Sequence, residues 1–183
     1  MRVLTATIEG LDQFNLKVLW LCKWLTILLV GILAVNVFIG VFWRYVLNDS
    51  LSWYEESSKY LMLWLVFAGA PIVLKQHGHV SLDILPRFLS PRLQDLNYVI
   101  IYTVVLALLY VFVWQGFDLA WRARAQQATT IDVSFFWIYL AIPLGCAVMV
   151  LISLEFWLRA LRGIFSRDDS GPGAGYTMDS SMS

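Results

Sequence analysis

Residues 44–60 read RYVLNDSLSWYEESSKY, residues 61–74 continue as the apolar run LMLWLVFAGAPIVL, and residues 75–83 close with KQHGHVSLD. The middle of this stretch, from about Trp53 to Leu74, is long enough to cross a bilayer, since roughly 20 residues at a rise of about 1.5 Å cover a hydrocarbon core of about 30 Å. It is bounded by two adjacent carboxylates, Glu55 and Glu56, and by a basic, histidine-bearing segment. Charges beside a membrane-length apolar run are costly unless they have a partner or a task.

The rest of the chain has the same character. It is 60% hydrophobic and 14% charged, with a mean hydropathy of +0.70, whereas soluble domains use about 45–50% apolar and about 25% charged residues. Nine Trp, eight Tyr and eleven Phe supply the aromatic excess expected where helix ends meet headgroups. A net charge of zero, with no basic stripe, gives no footprint for nucleic acid. Cys22 and Cys146 lie in apolar stretches as small hydrophobes, and no Cys-x-x-Cys suggests a thiol–disulfide enzyme or a zinc site.

The sequence predicts an all-α membrane protein, a single domain over 1–165, with four spans at about 24–43, 53–74, 96–117 and 133–158. Lys and Arg are denser on the side of Arg2, Lys17, Lys23, Lys75, Arg87, Arg92, Arg159, Arg162 and Arg167 than on that of Arg44, Lys59, Arg122 and Arg124. Both termini are therefore expected on the cytoplasmic face. The N-terminus lacks the short apolar core and small-residue cleavage site of a signal peptide. Leu4, Ile8, Leu11, Phe14 and Val18 instead recur at helical spacing, predicting an interfacial amphipathic helix. Ile84, Leu85, Phe88 and Leu89, interrupted by Pro86 and followed by Pro91, predict a second, short one in the loop. Residues 166–183, rich in Ser, Gly and Asp, are expected to be a disordered cytoplasmic tail.

Among the polar positions, Ser52 and Glu55 have capping-box spacing, and Glu55 and Lys59 stand four apart in the order that favours pairing. Trp53 and Tyr54 suit an interface. Glu56 points about 100° away from Glu55, and Arg44 is its expected neutralising charge. This ranks Glu56 above Glu155 for assembly, with Glu155 and Arg159 read as a local pair. Asn36, mid-span, is expected to make an interhelical hydrogen bond contributing roughly 0.6 kcal/mol. Pro71 and Pro143 are expected to kink their helices. His77 and His79 share one loop and are the chain's two histidines, a placement that disfavours bis-histidine haem. With Asp83 they make too small a set for a metal, and His79 and Asp83 are read as shaping the loop. No nucleotide loop, nucleophile elbow or metalloprotease motif occurs. Nor does the inverted repeat or broken helix pair of a self-sufficient transporter. Catalytic, substrate, cofactor and metal residues are expected to be none. The residues alone describe an accessory membrane subunit; a four-helix redox or cofactor-binding protein and a homo-oligomeric channel are the alternatives.

The element FWRYVLNDSLSWYEE (42–56), followed by LWLVFAGA (63–70) and GHVSLD (78–83), resembles the small integral-membrane subunit of tripartite ATP-independent periplasmic (TRAP) transporters. The likeness in span layout covers roughly 17–162. The resemblance implies a bacterial inner-membrane scaffold, not an enzyme, clamped to a large multi-span permease subunit that moves solute with sodium ions. It also implies a periplasmic substrate-binding protein that delivers the solute. Arg44, Trp53, Glu55, Glu56 and Lys59 would then form the outward partner surface.

Overall fold

The computed structural model describes residues 2–49, 51–77 and 91–165. They form α1 (Arg2–Val46), α2 (Ser52–His77), α3 (Pro91–Arg122), a 3₁₀ turn (Ala123–Ala125), the short α4 (Phe135–Tyr139) and α5 (Ala141–Phe165). Four of these helices are long and apolar enough to cross a membrane, over Gly10–Val46, Ser52–Gln76, Leu96–Ala125 and Phe135–Leu161. The all-α, four-span expectation holds, and the protein is a multi-pass membrane protein. Among the described residues there is no strand, only an isolated bridge between Gln127 and Ser134. His79, Asp83, the amphipathic stretch at 84–89 and the tail from 166 lie outside the described residues.

The N-terminal amphipathic segment is not a separate element. It forms the first turns of α1, which is one helix of 45 residues. The side of α1 that packs on protein runs through Ile8, Asn15, Leu19, Cys22, Leu29 and Asn36, at the 3, 4 and 7 spacings of a single helix face. Phe14, on the predicted apolar stripe, is 54% exposed. At the far end, Asn48 adopts φ 54°, a left-handed conformation that Asn tolerates better than most residues. The Leu47 and Asp49 amides both close on the Trp43 carbonyl there, and the chain turns back into α2.

α5 is the central helix, in contact with α1, α2 and α3. Its Ile152, Phe156 and Ala160 pack with Leu19 of α1 and with Tyr98 and Tyr102 of α3. The Tyr102 and Phe156 rings lie 5.5 Å apart, and Trp157 Nε1 donates to Thr103 Oγ1 at 2.9 Å. Pro143 explains why α4 and α5 are distinct: it has no N–H to offer the Tyr139 carbonyl, so the helix breaks at Leu140 and resumes with Leu144 N–H donating to Leu140 O. Pro71 acts differently. α2 continues through it, but the Phe67 carbonyl loses its i+4 donor. Gly145 of α5 sits against that carbonyl: a Cβ at Gly145 would lie 2.5 Å from Phe67 O and 2.8 Å from Phe67 Cβ. The missing side chain lets a Cα–H contact reach the orphaned oxygen. Gly40 serves the other helix pair, since a Cβ there would enter the Tyr54 ring.

Gly145→Ala is therefore expected to destabilise the detergent-solubilised protein by about 1–3 kcal/mol, the usual cost of overpacking. Gly69→Ala, where a Cβ meets nothing within 4 Å, is expected to leave the thermal midpoint unchanged. Paired melts of the two variants check this.

Candidate functional site

Two polar clusters stand out, one at each end of the bundle. At the end where α2 terminates and α5 finishes, Glu155 has no exposed surface. A carboxylate in such a place requires compensation, and three helices supply it. Lys75 Nζ of α2 donates to both Glu155 oxygens at 2.8 Å. Arg159, one turn along α5, places Nη2 2.7 Å from Oε1. Asn15 of α1, itself 1% exposed, donates from Nδ2 to Oε2 at 2.7 Å. A second carboxylate balances the second cation: Asp12 Oδ1 is 2.9 Å from Lys75 Nζ and 3.3 Å from Arg159 Nη2. Two acids and two bases thus form a neutral cluster joining α1, α2 and α5, with Lys75 Nζ also 5.3 Å from the Phe156 ring centroid. Charge-assisted bonds of this length are the strong ones. Asp12 and Asn15 reach the cluster because they are three apart on the packed face of α1.

Sequence reasoning paired Glu155 with Arg159 correctly but missed Asp12, Asn15 and Lys75. The signal lies in the buried face of α1, where Asn15 falls in register with Leu19 and Cys22, a polar residue on an apolar stripe. Partners 63 to 140 residues away have no local spacing to betray them.

At the opposite end, the structure replaces the expected Arg44–Glu56 pair. Arg44 Nη1 lies 3.9 Å from Glu55 Oε1, both side chains more than half exposed, an arrangement that contributes little. Glu55 accepts from the Tyr54 hydroxyl at 3.2 Å; among the described residues it forms neither the capping box with Ser52, which is already the first helical residue, nor the ion pair with Lys59. Trp53 and Lys59 are exposed. Glu56 binds backbone instead. Its oxygens accept from the Thr129 amide at 3.1 Å, the Thr130 amide at 2.8 Å and the Thr130 hydroxyl, and from Tyr60 Oη at 2.6 Å. One carboxylate therefore satisfies the connection between α3 and α4, a segment also closed by Ala128 N–H to Val133 O and Phe135 N–H to Gln126 O. The segment's amides have no helical partners, and an acceptor with four lone pairs serves them better than a distant guanidinium serves the acid.

Beside Glu56, at the start of α2, Asn36 makes its interhelical bonds: Nδ2 lies 3.1 Å from Tyr54 O, 2.9 Å from Ser57 Oγ and 2.8 Å from Ser58 Oγ. Among the described residues no three His, Cys, Asp or Glu side chains gather as metal ligands. Of the predicted outward residues, the structure brings Arg44 and Glu55 together. The arrangement supports rigid positioning of helices and a tethered loop.

Comparison with known proteins gives a family. Residues 18–163 match the family model described as "Tripartite ATP-independent periplasmic transporters, DctQ component". Over 116 residues, 61% of this chain, it is 28% identical to the sialic acid TRAP transporter small permease protein SiaQ of Vibrio cholerae, covering 65% of that relative. It is 31% identical over 67 residues, 37% of this chain, to the C4-dicarboxylate TRAP transporter small permease protein DctQ of Vibrio cholerae, covering 29% of it. It is 24% identical over 139 residues, 70% of this chain, to the isethionate TRAP transporter permease protein DctMQ of Oleidesulfovibrio alaskensis, covering 22% of it. The chain thus spans less than two thirds of each relative's length.

For the stability of the chain itself, the geometry puts Glu155 above Glu56. Glu155→Gln is expected to destabilise the protein by about 1–3 kcal/mol, because it leaves the partly exposed Lys75 and Arg159 with Asp12 as their shared counter-charge. Adding Lys75→Met should recover part of that loss by leaving Asp12 and Arg159 as a neutral pair. Unfolding titrations of the single and double variants in mixed detergent check both. Glu56→Gln is expected to leave the global midpoint nearly unchanged and to raise hydrogen exchange at the Thr129 and Thr130 amides at least tenfold.

Proposed function

The chain belongs to the DctQ component family of tripartite ATP-independent periplasmic transporters, and on that premise we propose that it is the small permease subunit of a solute uptake complex in the bacterial inner membrane. Its role is a scaffold, holding a large multi-span transport subunit in place while that subunit carries solute across on a sodium gradient. The observation that carries this reading is the neutral cluster of Asp12, Lys75, Glu155 and Arg159, with contacts of 2.7–3.3 Å. It ties α1, α2 and α5 into one body, and a static support must resist the load of a moving neighbour. Sodium ions would act in the large subunit, and this chain would need no cofactor of its own.

In the proposed orientation both termini face the cytoplasm, following the excess of Lys and Arg on that side. The Glu155 cluster then lies at the cytoplasmic end. The Glu56-tethered segment, with Arg44, Trp53, Glu55 and Lys59 nearby, faces the periplasm, where a substrate-binding protein would dock. The relatives named for sialic acid, C4-dicarboxylates and isethionate support a small organic anion as the solute class.

A mild-detergent purification of the tagged chain from its native membrane is expected to bring a large multi-span permease in equal amount. Vesicles containing both proteins should take up solute from its binding protein only with an inward sodium gradient and only when this chain is present. Isolation of the chain alone, or uptake by the large protein without it, would overturn the scaffold reading.

A further inference from the structure

Where α1 enters the apolar part of its course, the side turned away from the other helices carries two cations and two indoles. Lys17, Trp20, Lys23 and Trp24 are all exposed, whereas Asn15, Leu19 and Cys22 face the packed side. The two lysines stand about 120° apart in rotation and about 9 Å apart along the axis, with Trp20 midway between them. The Trp20 and Trp24 rings meet edge to face at 6.1 Å. A helical Cβ tilts towards the helix N-terminus, so the long Lys23 side chain reaches back towards the level of Trp20. Lys23 is the last charge before Arg44, and the uncharged residues 24–43 between them cover about 30 Å. It therefore marks the edge of the hydrocarbon. Among the described residues, neither lysine has a carboxylate partner and neither indole N–H has an acceptor. Asp12, the nearest acid in sequence, is already engaged by Lys75 and Arg159.

We propose that Lys17, Trp20, Lys23 and Trp24 bind the headgroup of an anionic phospholipid, the lysines and indole N–H groups taking its phosphate oxygens and the Trp rings its upper acyl chain. In the orientation proposed above this lipid lies in the cytoplasmic leaflet. The inference requires a chain that spans a membrane and nothing of the subunit role. Charge and depth together select the occupant. Two cations without counter-charges call for an anion, and at the edge of the hydrocarbon the phosphodiester is the anion that the solvent itself supplies. A carboxylate on a neighbouring membrane helix would be costly at the level of Trp24. A second copy of this chain would bring the same two lysines face to face. A soluble acidic partner reaches Lys17 but not Trp24, which lies on the hydrocarbon side of Lys23. An indole with one apolar face and one N–H donor suits this boundary. A zwitterionic lipid offers the same phosphate but brings its own cation, so the pair of lysines discriminates against it.

The test places the full chain in phosphatidylcholine vesicles with rising mole fractions of acyl-brominated phosphatidylglycerol or, in parallel, acyl-brominated phosphatidylcholine. Bromine quenches the emission of indoles that touch the lipid. Subtracting the same titration of the Trp20→Phe, Trp24→Phe double variant isolates these two. Their half-maximal quenching is expected at a mole fraction at least about fivefold lower for phosphatidylglycerol, the preference one basic residue supplies near an anionic surface. Lys17→Gln with Lys23→Gln should make the two lipids equal while leaving quenching by phosphatidylcholine and the thermal midpoint unchanged. Lys17→Arg with Lys23→Arg should keep the preference. Equal quenching by both lipids in the unmodified chain would overturn the inference, as would a preference that survives the double Gln variant. The chain purified from native membranes, with any partner still attached, must show the same preference. Loss of quenching by either lipid there means that protein covers this face, and the inference fails.

Discussion

A carboxylate with no access to water has to be neutralised where it stands, and Glu155 imposes that requirement on half the bundle. Its oxygens accept hydrogen bonds from Lys75 and Asn15 and pair with Arg159, and the surplus cation is balanced by Asp12. No single helix pair supplies this set. α1 must present Asp12 and Asn15 together, α2 must end where Lys75 reaches inward, and α5 must hold Glu155 and Arg159 one turn apart. Apolar packing in lipid is weakly directional, because acyl chains are as apolar as leucine. A closed set of ion pairs defines one register among three helices where hydrophobic contact permits several.

The second constraint is proximity of backbones. Pro71 frees the Phe67 carbonyl inside α2, and Gly145 lets α5 close over it. The same logic joins α1 to α2 through Gly40 and the Tyr54 ring, beside the Asn36 bonds. Helix interfaces in this protein therefore combine a small residue with a polar group.

At the other end of the bundle, Glu56 illustrates how a local reading of charge fails. In sequence the acid calls for a base, and Arg44 is near. In space the α3–α4 connection presents two amides and a hydroxyl with no other acceptor, and Glu56 serves those. Arg44 is left to a loose contact with Glu55. The exposed pair contributes little to stability, whereas the bonds from Glu56 decide where residues 126–134 lie.

By itself the sequence determined the solvent, the number of spans, the helical class and the family likeness carried by residues 42–83, because span length and hydropathy are properties of contiguous residues. It also determined the i,i+4 pair of Glu155 and Arg159 and the interhelical role of Asn36. The tertiary structure alone decided which charges are partners: Asp12 and Asn15 with Glu155, Lys75 with both acids, Glu56 with Thr129 and Thr130. Those contacts cross 63 to 140 residues, and their energy depends on distances of a few ångströms that are fixed only once the helices have chosen their neighbours and their rotation.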